Sequence, residues 1–239
     1  MDVCLLVKIF WLPHSEFGHF EVVNRRGVAS PSIEMPPKAK TFNFLNIVTQ
    51  NAHGLKSDDR INEITTQVFE NNIFAICLQE TWRTGDDLFV EKNCTFILHG
   101  LDQNSVTCRL GKEGVGIVLS KAATDAWKLA GSKTYTDFGS RIIATRLLVK
   151  DNSNKDCFLY LVSAYAPIGV ADQQIWDAFL TNLQKCIATK PNSDILLIGC
   201  NTTHLWAQAP KMYKCRNVLC WKFWSYPLQC CWYPLHNIS

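Results

Sequence analysis

The first feature of this 239-residue chain that can do chemistry is a carboxylate at the end of a strand-like run. Ile73–Leu78 is apolar, has the length of a buried strand, and stops abruptly at Gln79-Glu80-Thr81-Trp82. In α/β sheets the rim at the carboxyl ends of the strands is where ligands bind. Three other strand-like runs stop in polar or aromatic residues: Thr49-Gln50-Asn51, Ser163-Ala164-Tyr165-Ala166-Pro167, and Ile198-Gly199-Cys200-Asn201-Thr202-Thr203. Taken singly, each has a plain structural reading. Glu80 is a surface acid closing a strand, Asn51 a turn residue and Tyr165 a strand-end aromatic.

The elements that must position these residues follow from the hydrophobic pattern. Phe42–Asn51 alternates in part, as a strand does, and runs into Ala52-His53-Gly54, where the glycine suits a turn at positive φ. Ser57 or Asp58 caps a helix beginning at Asp59, with Ile61, Ile64, Val68 and Phe69 on one face. The Ile73 strand comes next, so Asn51 and Glu80 end two strands of a βαβ unit and belong on one rim. Thr84–Lys112 is polar and weakly patterned, with one short strand at Cys94–Leu98. Gly114–Ser120 is a strand whose glycines are close-packing positions, since no helix follows with phosphate-loop spacing. Arg141–Val149 and Cys157–Tyr165 flank the turn-like Lys150–Lys155 and predict an antiparallel hairpin. Asp172 caps a second helix with Ile175, Trp176, Phe179, Leu183 and Ile187 on one stripe, ended by Lys190-Pro191. Asp194–Ile198 is a last buried strand, so strand–helix–strand order occurs twice.

Composition sets the outer limits. Hydrophobic residues make up 47% and charged residues 19%, normal for a globular α/β domain with a sizeable core. The net charge of +3 conceals an asymmetry: residues 206–239 hold Lys211, Lys214, Arg216 and Lys222 and no acid, leaving −1 for the rest. That is no global footprint for nucleic acid. Eleven cysteines, three of them (Cys77, Cys157, Cys200) in or beside apolar runs, read as small hydrophobes in a reduced, intracellular protein. Cys215, Cys220, Cys230 and Cys231 match none of the common zinc spacings. No run approaches the roughly 20 apolar residues that span a bilayer, and no feature specifies an oligomeric state. Residues 1–40 read as a poorly ordered, proline-punctuated leader, 41–205 as the folded domain, and 206–239 as a Trp- and Cys-rich tail foreign to it.

The strand ends, in this order and spacing, resemble the endonuclease/exonuclease/phosphatase superfamily. More closely, they are similar to the apurinic-type endonuclease domain at the front of non-LTR (LINE-type) retrotransposon polyproteins. Gly114–Ser120, Ser140-Arg141-Ile142-Ile143 and Ser163–Pro167 fit the same pattern, and the resemblance covers about residues 41–205. It implies a four-layered α/β sandwich, two packed mixed sheets with outer helices, here incomplete at the C-terminal end. It also implies Mg²⁺ as cofactor and DNA as partner. Glu80 and Asn51 become the metal residues, Asn51 and Arg141 substrate-binding residues, and Tyr165 the group that orients the scissile phosphate.

Two departures from the family pattern bear on activity. The family motif Gly-x-Asp-x-Asn reads Gly199-Cys200-Asn201-Thr202-Thr203, so Asn201 stands at the catalytic Asp position and Thr203 at the Asn position. A carboxamide cannot take a proton from water. The family's later strands and Asp-His pair have no counterpart, since no Asp or Glu follows Asp194 and neither His204 nor His236 has such a partner in sequence. The expectation is a truncated, degenerate and inactive Mg²⁺-dependent DNA endonuclease. An active Mg²⁺-dependent endonuclease that nicks DNA and a non-catalytic nucleic-acid or protein binding module are the alternatives.

Overall fold

The computed structural model describes residues 7–11, 45–102, 113–151, 153–167, 171–200 and 218–220. Asn201, Thr203, His204 and His236 lie outside them. Two mixed sheets face each other. The first is built from β1 (Val7–Trp11), β2 (Leu45–Asn51), β3 (Ala75–Gln79), β4 (Asp86–Glu91), β5 (Cys94–His99) and β6 (Val115–Leu119), in the order β1-β2-β3-β6-β5-β4. The second contains β7 (Thr134–Tyr135), β8 (Ile142–Lys150), β9 (Asp156–Ala164), β10 (Ile195–Cys200) and β11 (Val218–Cys220), in the order β11-β10-β9-β8-β7. Both expected strand–helix–strand units are present: β2 runs parallel to β3, and β9 parallel to β10. The outermost parallel partners, β1 on β2 and β11 on β10, come from segments expected to lie outside the central domain.

Three hydrophobic clusters define the layers. Ile47, Cys77, Ile117, Leu147, Leu161 and Leu197 fill the space between the sheets. Helix α1 (Asp58–Glu70) covers the outer face of the first sheet through Ile61, Ile64 and Val68, and α3 (Gln173–Ala188) covers that of the second through Trp176, Phe179, Leu183 and Cys186. The result is the expected four-layered α/β sandwich. Ser57 and Asp172 are the caps, their side-chain oxygens accepting from the amides of Arg60 and Gln174. Phe69 and Ile175, predicted for the buried stripes, are 57% and 46% exposed. Cys186 takes the buried place on α3 instead. Cys77 and Cys200 are buried among apolar side chains, and burial pushes the Cys77 thiol up to about 12.

Besides β1, β11 and the two-residue β7, two elements are absent from the sequence expectation. α2 (Lys121–Leu129), capped by Ser120, tucks Ala123, Ala126 and Trp127 into the space between the sheets. It is only nine residues long, so its apolar stripe runs for about two and a half turns. β4 pairs with β5 through a tight turn at Lys92-Asn93, both at positive φ as such hairpin turns require. The β8–β9 hairpin is as predicted. Asp151 Oδ1 accepts from the amides of Ser153 and Lys155 at 2.8 and 2.9 Å and sets its turn.

The sheets come into close contact where Gly199 of β10 faces Cys77 of β3. A Cβ at Gly199 would lie 2.6 Å from Cys77 Cβ and 2.8 Å from its Sγ, so only glycine fits that contact. Gly199→Ala is expected to destabilise the fold by about 1–3 kcal/mol through overpacking, measured as a lower urea midpoint at unchanged m-value.

Candidate active site at the shared rim of the two sheets

A buried polar network locks the strand ends together just beneath the rim. Gln79 closes β3 with no exposed surface, yet its side chain is hydrogen-bonded in both directions. Its Oε1 accepts from Thr49 Oγ1 of β2 at 3.2 Å. Its Nε2 donates to Ser163 Oγ of β9 at 3.2 Å and reaches the Gly199 carbonyl of β10 at 3.5 Å. Ser163 Oγ in turn donates to the Leu78 carbonyl at 2.9 Å. With a further bond from Nε2 to the Cys77 carbonyl of β3 at 3.3 Å, one amide touches four strands from two sheets. A buried amide left without partners costs about 1–3 kcal/mol, so the network fixes which strand ends coincide.

Beyond Gln79 the backbone turns sharply. Glu80 and Trp82 adopt φ of +53° and +54°, and His53 of the facing loop +48°. Each such conformation costs an L-residue roughly 1–2 kcal/mol and is held here by backbone lacing. The amides of Ala52, Gly54 and Leu55 donate to the carbonyls of Gln79, Glu80 and Thr81 at 2.7–2.9 Å. Thr81 and Trp82 amides donate to the Gly114 and Glu113 carbonyls. Gly54, at φ +96°, lies under the Trp82 ring, where a Cβ would come within 2.6 Å. Strain held by surrounding structure is typical of functional loops.

The side chains then fall into place. Glu80 stands at the rim with 21% of its side chain exposed, its Oε2 3.7 Å from His53 Nδ1. Asn51 Oδ1 accepts from the His53 amide at 3.0 Å. Tyr165, one residue past β9, is 6% exposed and stacks under the Arg141 guanidinium, 4.9 Å from ring centroid to Cζ. Arg141 Nη2 is paired with Glu113 Oε1 at 2.6 Å, and Ser140 Oγ donates to the other Glu113 oxygen. Burial first, then the charge and hydrogen bonding of Glu80, push the Tyr165 hydroxyl up to about 12, against the opposing pull of Arg141. It is therefore a protonated donor at neutral pH, neither base nor nucleophile. A groove of about 320 Å³ runs from Ser140 and Arg141 along the first turns of α3, past Gln174 and Ile175.

Four of the expected site residues, Asn51, Glu80, Tyr165 and Arg141, thus stand around one rim. β10 ends at the same rim, with Cys200 opposite Ala164 of β9, and Asn201 and Thr203 follow it. Glu80 with the Asn51 carboxamide offers few protein oxygens, which suits a hard cation that keeps most of its water. Among the described residues no group of three or more His, Cys, Asp or Glu could hold a metal ion. From sequence, Gln79 and Ser163 were missed as a hub, Glu113 as the partner of Arg141, and His53 as the neighbour of Glu80. The polar interruptions Gln79 and Ser163 in apolar strands were the available signal.

No family model and no curated protein sequence matches the chain. Among solved structures it is similar to the catalytic domain of APE2 from Xenopus laevis, with a TM-score of 0.48 and 16% identity, covering 66% of this chain and 58% of that one. It is also similar to the AP endonuclease LMAP from Leishmania major, with a TM-score of 0.42 and 12% identity over 60% of this chain and 46% of that one. The chain therefore spans less than two thirds of either.

The Tyr165 phenol gives the geometry a direct check. Because the Glu80 charge raises it, Glu80→Gln should let Tyr165 ionise at lower pH while burial still holds it above the ordinary value of 10. NMR of the labelled Tyr165 ring between about pH 10 and 11 should show a larger ionised fraction in the variant. Identical curves would separate the two side chains.

Proposed function

We propose that this chain is a degenerate Mg²⁺-dependent DNA endonuclease domain of the endonuclease/exonuclease/phosphatase superfamily, of the retrotransposon apurinic type, that no longer cleaves. The observation that carries the reading is the meeting of Glu80 and Tyr165 across the seam of the sheets, beside Asn51. The motif order along residues 41–205 supports the same assignment, with 206–239 outside the family pattern, and implies an intracellular, DNA-facing ancestry.

Glu80 and Asn51 would hold the cation. Mg²⁺ supplies Lewis-acid charge at a phosphoryl oxygen when bound. The protonated Tyr165 hydroxyl can donate to a phosphate oxygen and orient it. Arg141 acts by holding the Tyr165 ring from above, because Glu113 already takes its charge. Deprotonating the attacking water is the step without a residue: Asn201 stands where the family pattern has its acid, and a positioned general base contributes about 10²–10⁴-fold. The formal charge of −1 over residues 1–205 likewise offers little phosphate neutralisation, from which most DNA affinity comes.

A supercoiled-plasmid nicking assay with Mg²⁺ tests this. The parent chain should be silent, Asn201→Asp should show weak nicking, and adding Glu80→Ala should abolish it. A parent that nicks in a Glu80-dependent way would make the domain active and overturn the inactive reading. A silent Asn201→Asp that still retains DNA in a salt-dependent way would favour a binding module.

A further inference from the structure

We infer that His53 is a nitrogen donor to the cation at Glu80, so that the site is a mixed imidazole–carboxylate one that selects Mn²⁺ and later first-row divalent ions over Mg²⁺. The inference rests on the reading of Glu80 as a metal carboxylate and adds a ligand that the sequence resemblance does not supply.

His53 Nδ1 and Glu80 Oε2 are 3.7 Å apart. Two donors that each sit about 2.0–2.2 Å from one ion are separated by about 3 to 4.2 Å, from neighbouring to opposite positions. The pair therefore fits around a single ion with only small side-chain rotations. The loop that carries His53 is braced on every side. Arg60 Nε donates to the Ala52 carbonyl at 3.1 Å, Arg83 Nε to the Leu55 carbonyl at 2.8 Å, and the Gly54 amide to the Glu80 carbonyl at 2.8 Å. The His53 amide is tied to Asn51 Oδ1, and the residue is held at φ +48°. Half of the His53 side chain is open to solvent, so an ion can reach it. Such bracing fixes the backbone of His53 beside the carboxylate before any ion arrives.

Ligand type decides the metal class. Oxygen donors and water serve Mg²⁺ and Mn²⁺ alike, but a nitrogen donor adds affinity for the first-row transition ions, rising from Mn²⁺ through Fe²⁺ and Co²⁺ to Cu²⁺. With His53 coordinating, the site binds Mn²⁺ more tightly than Mg²⁺. A simple ion pair between His53 and Glu80 gives no such preference.

The test loads the full chain with Mn²⁺ and reads pulsed electron paramagnetic resonance together with calorimetric Mn²⁺ and Mg²⁺ titrations. The parent should show a directly coordinated nitrogen. His53→Asn keeps a side chain that tolerates left-handed φ. It should lose the nitrogen signal and weaken Mn²⁺ binding about tenfold or more, the least expected when even outer partners of metal ligands cost that much. Its Mg²⁺ affinity should change less than about twofold. Mn²⁺ bound at Glu80 without a nitrogen signal in the parent, or an unaltered Mn²⁺ affinity in His53→Asn, would overturn the inference and leave the nuclease reading intact. Binding of neither ion, or binding indifferent to Glu80→Gln, would overturn both together. The parent spectrum carries the test even if the variant misfolds.

Discussion

A single buried amide constrains the rest of this molecule. Gln79 sits at the end of β3 with no access to water, and besides the Cys77 carbonyl of its own strand its side chain bonds to β2 and to both β9 and β10 of the far sheet. Hydrophobic packing between two sheets is nondirectional and tolerates sliding. A hydrogen-bonded amide does not, because displacing the second sheet by one residue would leave its donors facing apolar side chains. The register of β9 and β10 against β2 and β3 is set at this point. Gly199 permits the close approach by offering no side chain where the Cys77 thiol lies.

The rim inherits its geometry from that lock. Glu80 follows Gln79 directly, and Tyr165 lies two residues beyond Ser163, so the Gln79–Ser163 bond is what brings carboxylate and phenol together. The opposite end of the second sheet shows how a carboxylate is treated when it serves structure. Asp194 is fully buried, accepts from both Arg146 Nε and Nη2, and that arginine stacks on Phe158. Both carboxylate oxygens there are committed. Glu80, by contrast, stays partly exposed at the mouth of a strained turn, with an imidazole and a carboxamide near it. Arg141 falls between the two cases, its charge satisfied by Glu113 and its plane used to hold Tyr165.

The larger part of this architecture is legible in the chain because apolar runs ending in polar residues are strands that end at a rim. The two parallel units follow from pattern alone, as does the hairpin that Asp151 turns. What escapes is whatever pattern does not encode. α2 hides because it is only nine residues long, and β4 because the contiguous Leu88-Phe89-Val90 gives no alternation at a sheet edge where Leu88 and Val90 are left exposed. Glu113 finds Arg141 across 28 positions, and the meeting of His53 with Glu80 depends on left-handed backbone at both residues. Neither is a spacing that a linear reading contains. Asn51, Glu80, Tyr165 and Arg141 are visible as residue types, but their convergence is a property of the lock beneath them.

The most direct test of that lock is a double-mutant cycle between Gln79→Leu and Ser163→Ala, read by urea unfolding. If the bond across the seam sets the register, the two losses are not independent. The double variant should then be more stable than the sum of the single losses implies, by about 1–2 kcal/mol. Additivity within about 0.5 kcal/mol would show that the sheets are aligned by apolar packing alone, and the placement of Glu80 beside Tyr165 would need another cause.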